Sequence, residues 1–409
     1  MARHYLDHAS TSPLRPQARE AMVAVLEGRG FEGLVPADPG RVHSEGMAAR
    51  VGLEQARAQV ADLVGARARE VVFTSGATEA IAAATWGALR RATDASEPRS
   101  GERAGRAARA GAPQVIVAAV EHSAVRQSSE VFADALGGRV TVVGVDGQGR
   151  VDPDQVLAAV DEAGPDGTAL VHLQWANHEV GTTQPVAEVV AACRPRGVLV
   201  HVDAAQAVGH VPVAFDALGA DLLSLSGHKL GGPAGTGALL VRRGLRLDPL
   251  LLGGDQERAR RAGLENVAGL VGLAAACAAL ADQDRLADEA AAARAHTDRV
   301  LAAAANLPGV AVYGDPVGRV PQLVCLGIDG IEPQAVLLGL DQAGVAAHSG
   351  SACASEGLED SPVLAAMGVD AHRSLRVSVG WSTTDADIDS LLGALPPVLD
   401  RLRALGATP

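Results

Sequence analysis

Between residues 70 and 241 the chain alternates short apolar, β-branched runs with stretches whose apolar residues recur at helical spacing. Seven runs predict strands: "EVVFT" (70–74), "QVIVAAV" (114–120), "RVTVVGV" (139–145), "TALVHLQ" (168–174), "GVLVHVD" (197–203), "DLLSLS" (221–226) and "GTGALLV" (235–241). Most lack a polar residue at every second position, which is the pattern of strands covered on both faces. Helices are predicted between them, over 79–90, over 187–193 and in the run after Arg150. The rhythm predicts an α/β fold on a mainly parallel central sheet flanked by helices.

The rhythm breaks twice. The stretch 91–113, "RATDASEPRSGERAGRAARAGAP", is rich in Ala, Arg, Gly and Ser and reads as a solvated insertion. From about residue 282 a long Ala/Arg helix is followed by shorter strands near 310–313, 321–327 and 374–379, the pattern of a smaller α+β domain. The expected division is a large domain over 16–281 and a small one formed by 1–15 with 282–409. A chain of 409 residues is long enough for both.

Composition narrows the possibilities. Aromatic residues are only 2% of the chain, so the core must be built from Ala, Val and Leu. A net charge of −13 argues against general affinity for nucleic acid or an anionic membrane. The apolar run 267–281 is fifteen residues long and rich in small residues, so a buried helix is expected there rather than a membrane span. The four cysteines, Cys193, Cys277, Cys325 and Cys353, are too scattered for a disulfide framework or a zinc site. The N-terminal "MARHYLDHASTSP" has no apolar leader core, and a cytoplasmic protein is expected.

In open α/β sheets, ligands bind beyond the carboxyl ends of the strands, where the loops converge. Here five strand ends carry Thr78, His122, Asn177, Asp203 with Gln206, and Ser226 with His228 and Lys229. Lys229 lies between a strand and the glycine-rich "GGPAGTG", whose backbone can close around a ligand. A desolvated lysine can form a Schiff base with an aldehyde cofactor, which makes pyridoxal 5'-phosphate (PLP) the natural candidate. PLP needs a carboxylate for its pyridine nitrogen, and Asp203 ends a buried strand as that role requires. Its phosphate needs amide donors at a helix start, which "TSGAT" before residue 79 supplies along with the Thr78 hydroxyl. Ser226 and His228 can donate to the same phosphate. His122 reads either as a satisfied core histidine or as an imidazole that stacks on the ring and shuttles protons.

With these residues in place the chain resembles a cysteine desulfurase of the NifS/IscS type, in the aminotransferase class V superfamily of PLP enzymes. The likeness runs from "YLDHASTSP" through "FTSGATEA", "EHSAV", "HVDAAQAVG", "SGHKLGGPAGTGAL" and "GGDQERARRAG" to "SGSACAS" and "LRVSVG". The resemblance implies the type I fold of PLP-dependent transferases. It implies that Lys229 holds PLP, Asp203 pairs with the pyridine nitrogen, and Gln206 bonds the ring hydroxyl. Ala77 (through its backbone), Thr78, Ser226 and His228 would cradle the phosphate, and His122 would lie over the ring. Asn177 and Arg376 would grip the substrate carboxylate. Cys353, in the small-residue loop "HSGSACASEGLED", would attack the sulfur of bound L-cysteine, leaving alanine and a persulfide for an acceptor protein. That acceptor would serve iron–sulfur cluster assembly or tRNA thiolation, and a homodimer is implied.

Three positions depart from the family pattern. Asp38 replaces an asparagine, His178 replaces a second asparagine, and Leu264 replaces a threonine that in the family reaches the partner subunit's phosphate. The competing readings are a selenocysteine lyase or another class V lyase or aminotransferase, and a non-catalytic sulfur-relay scaffold. The intact Lys229, His122 and Cys353 argue against the scaffold.

Overall fold

The computed structural model describes residues 3–29, 37–93, 112–164, 166–350 and 360–406. Cys353 and most of the 91–113 stretch therefore lie outside the described residues. The strands among the described residues are β1 His4–Tyr5, β2 Val71–Thr74, β3 Gln114–Ala118, β4 Arg139–Val143, β5 Thr168–Gln174, β6 Leu199–Asp203, β7 Leu222–Ser226, β8 Gly237–Val241, β9 Val310–Tyr313, β10 Leu323–Ile328, β11 Val345–Ala346 and β12 Ser374–Ser378.

All seven runs predicted between 70 and 241 join one sheet, in the order β2-β8-β7-β6-β5-β3-β4. Only β8 runs antiparallel to its neighbours, β2 and β7. The carboxyl ends of β2, β7, β6, β5 and β3 consequently meet along one edge of the sheet. Strands β2, β3, β5, β7 and β8 are buried along their whole length, as their unbroken apolar patterns require. Strand β4 differs. It closes the sheet with a single neighbour, and Val142 on it is 61% exposed.

Helices α1 Pro16–Leu26, α2 Ser44–Leu63, α3 Ala77–Thr93 and α4 Ser123–Ala135 pack around this sheet. The apolar run Val267–Ala281 forms one helix with Leu270, Leu273, Cys277 and Leu280 buried. No single helix among the described residues is long and apolar enough to cross a membrane. Past it, β12-β10-β9 form an antiparallel sheet. An apolar cluster of its own, including Leu326, Leu340, Leu375 and Leu391, packs beneath it. The N-terminal segment is tied to this unit through the pairing of β1 with β11 and a bridge between Asp7 and Ser378.

A buried ion pair fixes α2 to a distant loop. Arg57 donates from Nη1 and Nη2 to the two carboxylate oxygens of Glu257, at 2.6 and 2.8 Å, and its guanidinium also stacks on Phe73. Both side chains are almost fully excluded from solvent. Removing one member leaves the other charge uncompensated, so Arg57→Met is expected to cost about 3–5 kcal/mol of stability, read as a lower urea midpoint.

Candidate active site

The sheet edge where the five strand ends meet opens into a cavity of about 560 Å³. Lys229 reaches it because β7 ends at Ser226 and a single turn, Gly227–Lys229, carries the chain past the edge. The return into β8 passes Gly235, whose φ of +73° a glycine adopts without strain. Gly237 then lies against the start of α3, where a Cβ would fall 2.6 Å from the Cα of Gly76. Any larger residue at 237 would push the Ser75–Thr78 turn out of place.

Burial pushes the Lys229 amine down to about 8, with Arg376 adding to the effect and Asp203 opposing it. Asp203 faces the same cavity, and its Oδ1 accepts bonds from Ser224 Oγ at 3.0 Å and the Ala205 amide at 3.1 Å. Gln206 donates through Nε2 to the Ala9 carbonyl, while its buried Oε1 has no partner. Ala77 and Thr78 sit in the first turn of α3, whose leading amides have no carbonyl partner within the helix. Ser226 and His228 line the same cavity.

His122 caps α4, with its Nδ1 accepting the Ala124 amide at 3.1 Å. That bond puts the proton of the neutral ring on Nε2. Burial lowers its pKa to about 3, with His178 and Lys229 adding to the shift, so the ring stays neutral near pH 7. Arg376 is 4% exposed. It donates to the His178 carbonyl at 2.8 Å, to Asp7 at 2.8 Å and to Ser10 at 2.6 Å, while its Nε has no partner.

Nine of the expected residues therefore line one cavity: Ala77, Thr78, His122, Asp203, Gln206, Ser226, His228, Lys229 and Arg376. Asn177 does not. Its Nδ2 donates one bond, to the Val120 carbonyl, and its Oδ1 accepts the Glu179 and Val180 amides, both at 2.8 Å. The side chain is fully buried in this geometry, outside the cavity lining. The turn instead presents His178, whose ring packs edge-on against His122 with 4.9 Å between centroids. Burial, reinforced by Lys229 and Arg376, keeps His178 neutral.

The sequence reading missed two carboxyls next to these residues. Glu121, beside His122, is pushed up to about 8 by burial while its Oε1 accepts the Gln174 amide. Glu179 is pushed up to about 7 by burial and accepts a bond from Ser361 Oγ at 2.6 Å. Each directly follows or precedes a histidine of the cavity, and that adjacency was the available signal. Of the other two departures, Asp38 pairs with Arg41 and Leu264 is 64% exposed.

The aminotransferase class-V family profile matches residues 4–391 of the chain. A cysteine desulfurase of Cereibacter sphaeroides is 40% identical over 99% of this chain and 98% of its own length. Cysteine desulfurase IscS of Dictyoglomus turgidum is 35% identical over 98% of this chain and 95% of its own. Among solved structures, a NifS-like protein superposes with a TM-score of 0.83 at 29% identity, covering 98% of this chain and 100% of that one. SspA in complex with cysteine superposes with a TM-score of 0.74 at 26% identity, over 93% of this chain and 100% of that one. The sheet-edge cavity with its single turn-borne lysine, together with full-length similarity to such proteins, leads to one conclusion: this chain belongs to the aminotransferase class-V family, among its cysteine desulfurases.

Proposed function

We propose that this protein is a PLP-dependent cysteine desulfurase, which converts L-cysteine to L-alanine and retains the sulfur as a persulfide on Cys353. The observation that carries this reading is Lys229, a partly buried amine of lowered pKa held opposite Asp203 in the cavity. The surrounding residues fit the cofactor: a buried carboxylate, an orphaned Gln206 acceptor and a helix start with unpaired amides. When bound, PLP would supply an electron sink for bonds that change at the substrate's carbons.

The chain's own groups would do the rest. Asp203 would hold a proton on the pyridine nitrogen, and Gln206 Oε1 would accept from the ring hydroxyl. Ala77, Thr78, Ser226 and His228 would take the phosphate, with His122 against the ring. Arg376 would orient the substrate carboxylate, where a planar guanidinium suits a carboxylate best. His178, whose carbonyl accepts a bond from Arg376, would stand beside it, with Asn177 in the same turn. Overall, the Cβ–S bond of cysteine breaks and an S–S bond forms at Cys353. The thiol protons pass to alanine and the persulfide, so no outside oxidant or reductant is needed. The sulfur would then pass to an acceptor protein, an iron–sulfur scaffold or a tRNA thiolation enzyme, in the cytoplasm and from a homodimer.

The same reading takes 16–281 as the PLP-binding domain and 1–15 with 282–409 as the smaller one. The separate apolar cluster beneath β10 and β12 supports that division. Two measurements test the proposal. Alanine should form from L-cysteine faster than from L-selenocysteine, and the reverse order would favour a selenocysteine lyase. The chain stripped of cofactor should capture added PLP with a rate that climbs about tenfold per pH unit and levels off above about 8, because only the neutral Lys229 amine attacks the aldehyde. A rate still climbing two units higher would contradict the lowered pKa.

A further inference from the structure

We propose that a left-handed turn at Glu257–Ala259 and the Arg261–Glu79 ion pair form a strut that holds the Ser75–Thr78 turn in its anion-binding shape. Glu79 and Arg261 are then positioning residues for the ligand's phosphate. The inference rests on reading that turn as the phosphate site of PLP.

Glu257, Arg258 and Ala259 have φ of 49°, 59° and 61°, three successive non-glycine residues in the left-handed region. Such a run is unfavourable and persists only where the surroundings hold it. Here α2 holds two of the three. Arg57 grips Glu257 in the buried pair described above, and Glu54 accepts from Arg258 at 2.8 Å. Glu257 also accepts the Phe73 amide at 2.9 Å, which ties the turn to β2, the strand that leads into the cavity edge.

The strain aims the next residues. Arg261 Nε donates to Glu79 Oε1 at 2.9 Å, and Glu79 Oε2 accepts the Ser75 amide at 2.8 Å. Glu79 thereby fixes the entry to α3 and uses up the Ser75 N–H, leaving the amides of the next residues for an anion. Burial favours the neutral form of Glu79, but the bonds from Arg261 and Ser75 outweigh it and keep the carboxyl ionised. An ionised carboxylate at that helix start would repel a phosphate, and the Arg261 guanidinium offsets its charge. The strut therefore sets both the shape and the net charge of the cradle.

The test compares PLP with pyridoxal, which carries the same aldehyde and ring but no phosphate. Each is titrated into the full-length chain stripped of cofactor, and the visible absorbance of the bound chromophore is followed. Arg261→Met is expected to weaken PLP binding about tenfold and leave pyridoxal binding unchanged, with Arg261→Lys restoring part of the loss. Equal loss for both ligands, or loss for neither, would overturn the strut. If the unaltered protein holds pyridoxal as tightly as PLP, the phosphate-site reading itself fails, and the strut fails with it.

Discussion

Lys229→Ala is expected to yield a folded protein with no visible chromophore and a desulfuration rate lower by about a thousandfold or more. The expectation is unusually sharp because Lys229 is the only lysine in the chain, every other residue in the Lys+Arg total of 35 being arginine. Guanidinium groups stay protonated and do not capture aldehydes at neutral pH. No neighbouring side-chain amine can therefore replace the lost one. Removing Lys229 also removes a cation that adds to the downward shifts of His122, His178 and His228. Those shifts are caused mainly by burial, so the three rings are expected to stay neutral in the variant. A variant that kept the yellow band would place the cofactor elsewhere.

Cys353→Ala carries the second large effect. Alanine formation from cysteine is expected to fall to background, about a thousandfold, with the bound cofactor spectrum unchanged. The other three cysteines cannot stand in. All are buried, and burial pushes the thiol of Cys193 up to about 11, that of Cys277 up to about 12 and that of Cys325 higher still. Near neutral pH each is almost wholly the thiol, which is not the nucleophilic form. Cys193→Ala, in the core beside β6, is accordingly expected to leave the rate per folded molecule as it was. Full activity in Cys353→Ala would end the persulfide reading.

The seven strands of the main sheet were legible because buried parallel strands write themselves as unbroken β-branched runs. The chemistry was legible because it sits at their ends. Strand ends are set by backbone pairing, so a side chain just beyond one is already placed. Helices α1 and α2 were harder to read. The buried stripe of α2 is built largely from Gly46, Ala49, Gly52, Ala56 and Ala61, too small to stand out from an alanine-rich background. Which of Asn177 and His178 lines the cavity was not legible either. In a tight turn, adjacent side chains face opposite ways, and only the hydrogen bonds of the folded turn decide which one meets the cavity. Lys229 was identified by its motif, yet its uniqueness in the composition was an equally direct signal.

In the proposed reaction, sulfur moves from free cysteine to one thiol of this chain. Mass spectrometry of the purified protein after incubation with L-cysteine tests it most directly. The predicted result is a one-sulfur adduct on Cys353, with alanine released in equal amount. Sulfur found on Cys193, Cys277 or Cys325, or alanine formed with no protein-bound sulfur, would contradict it.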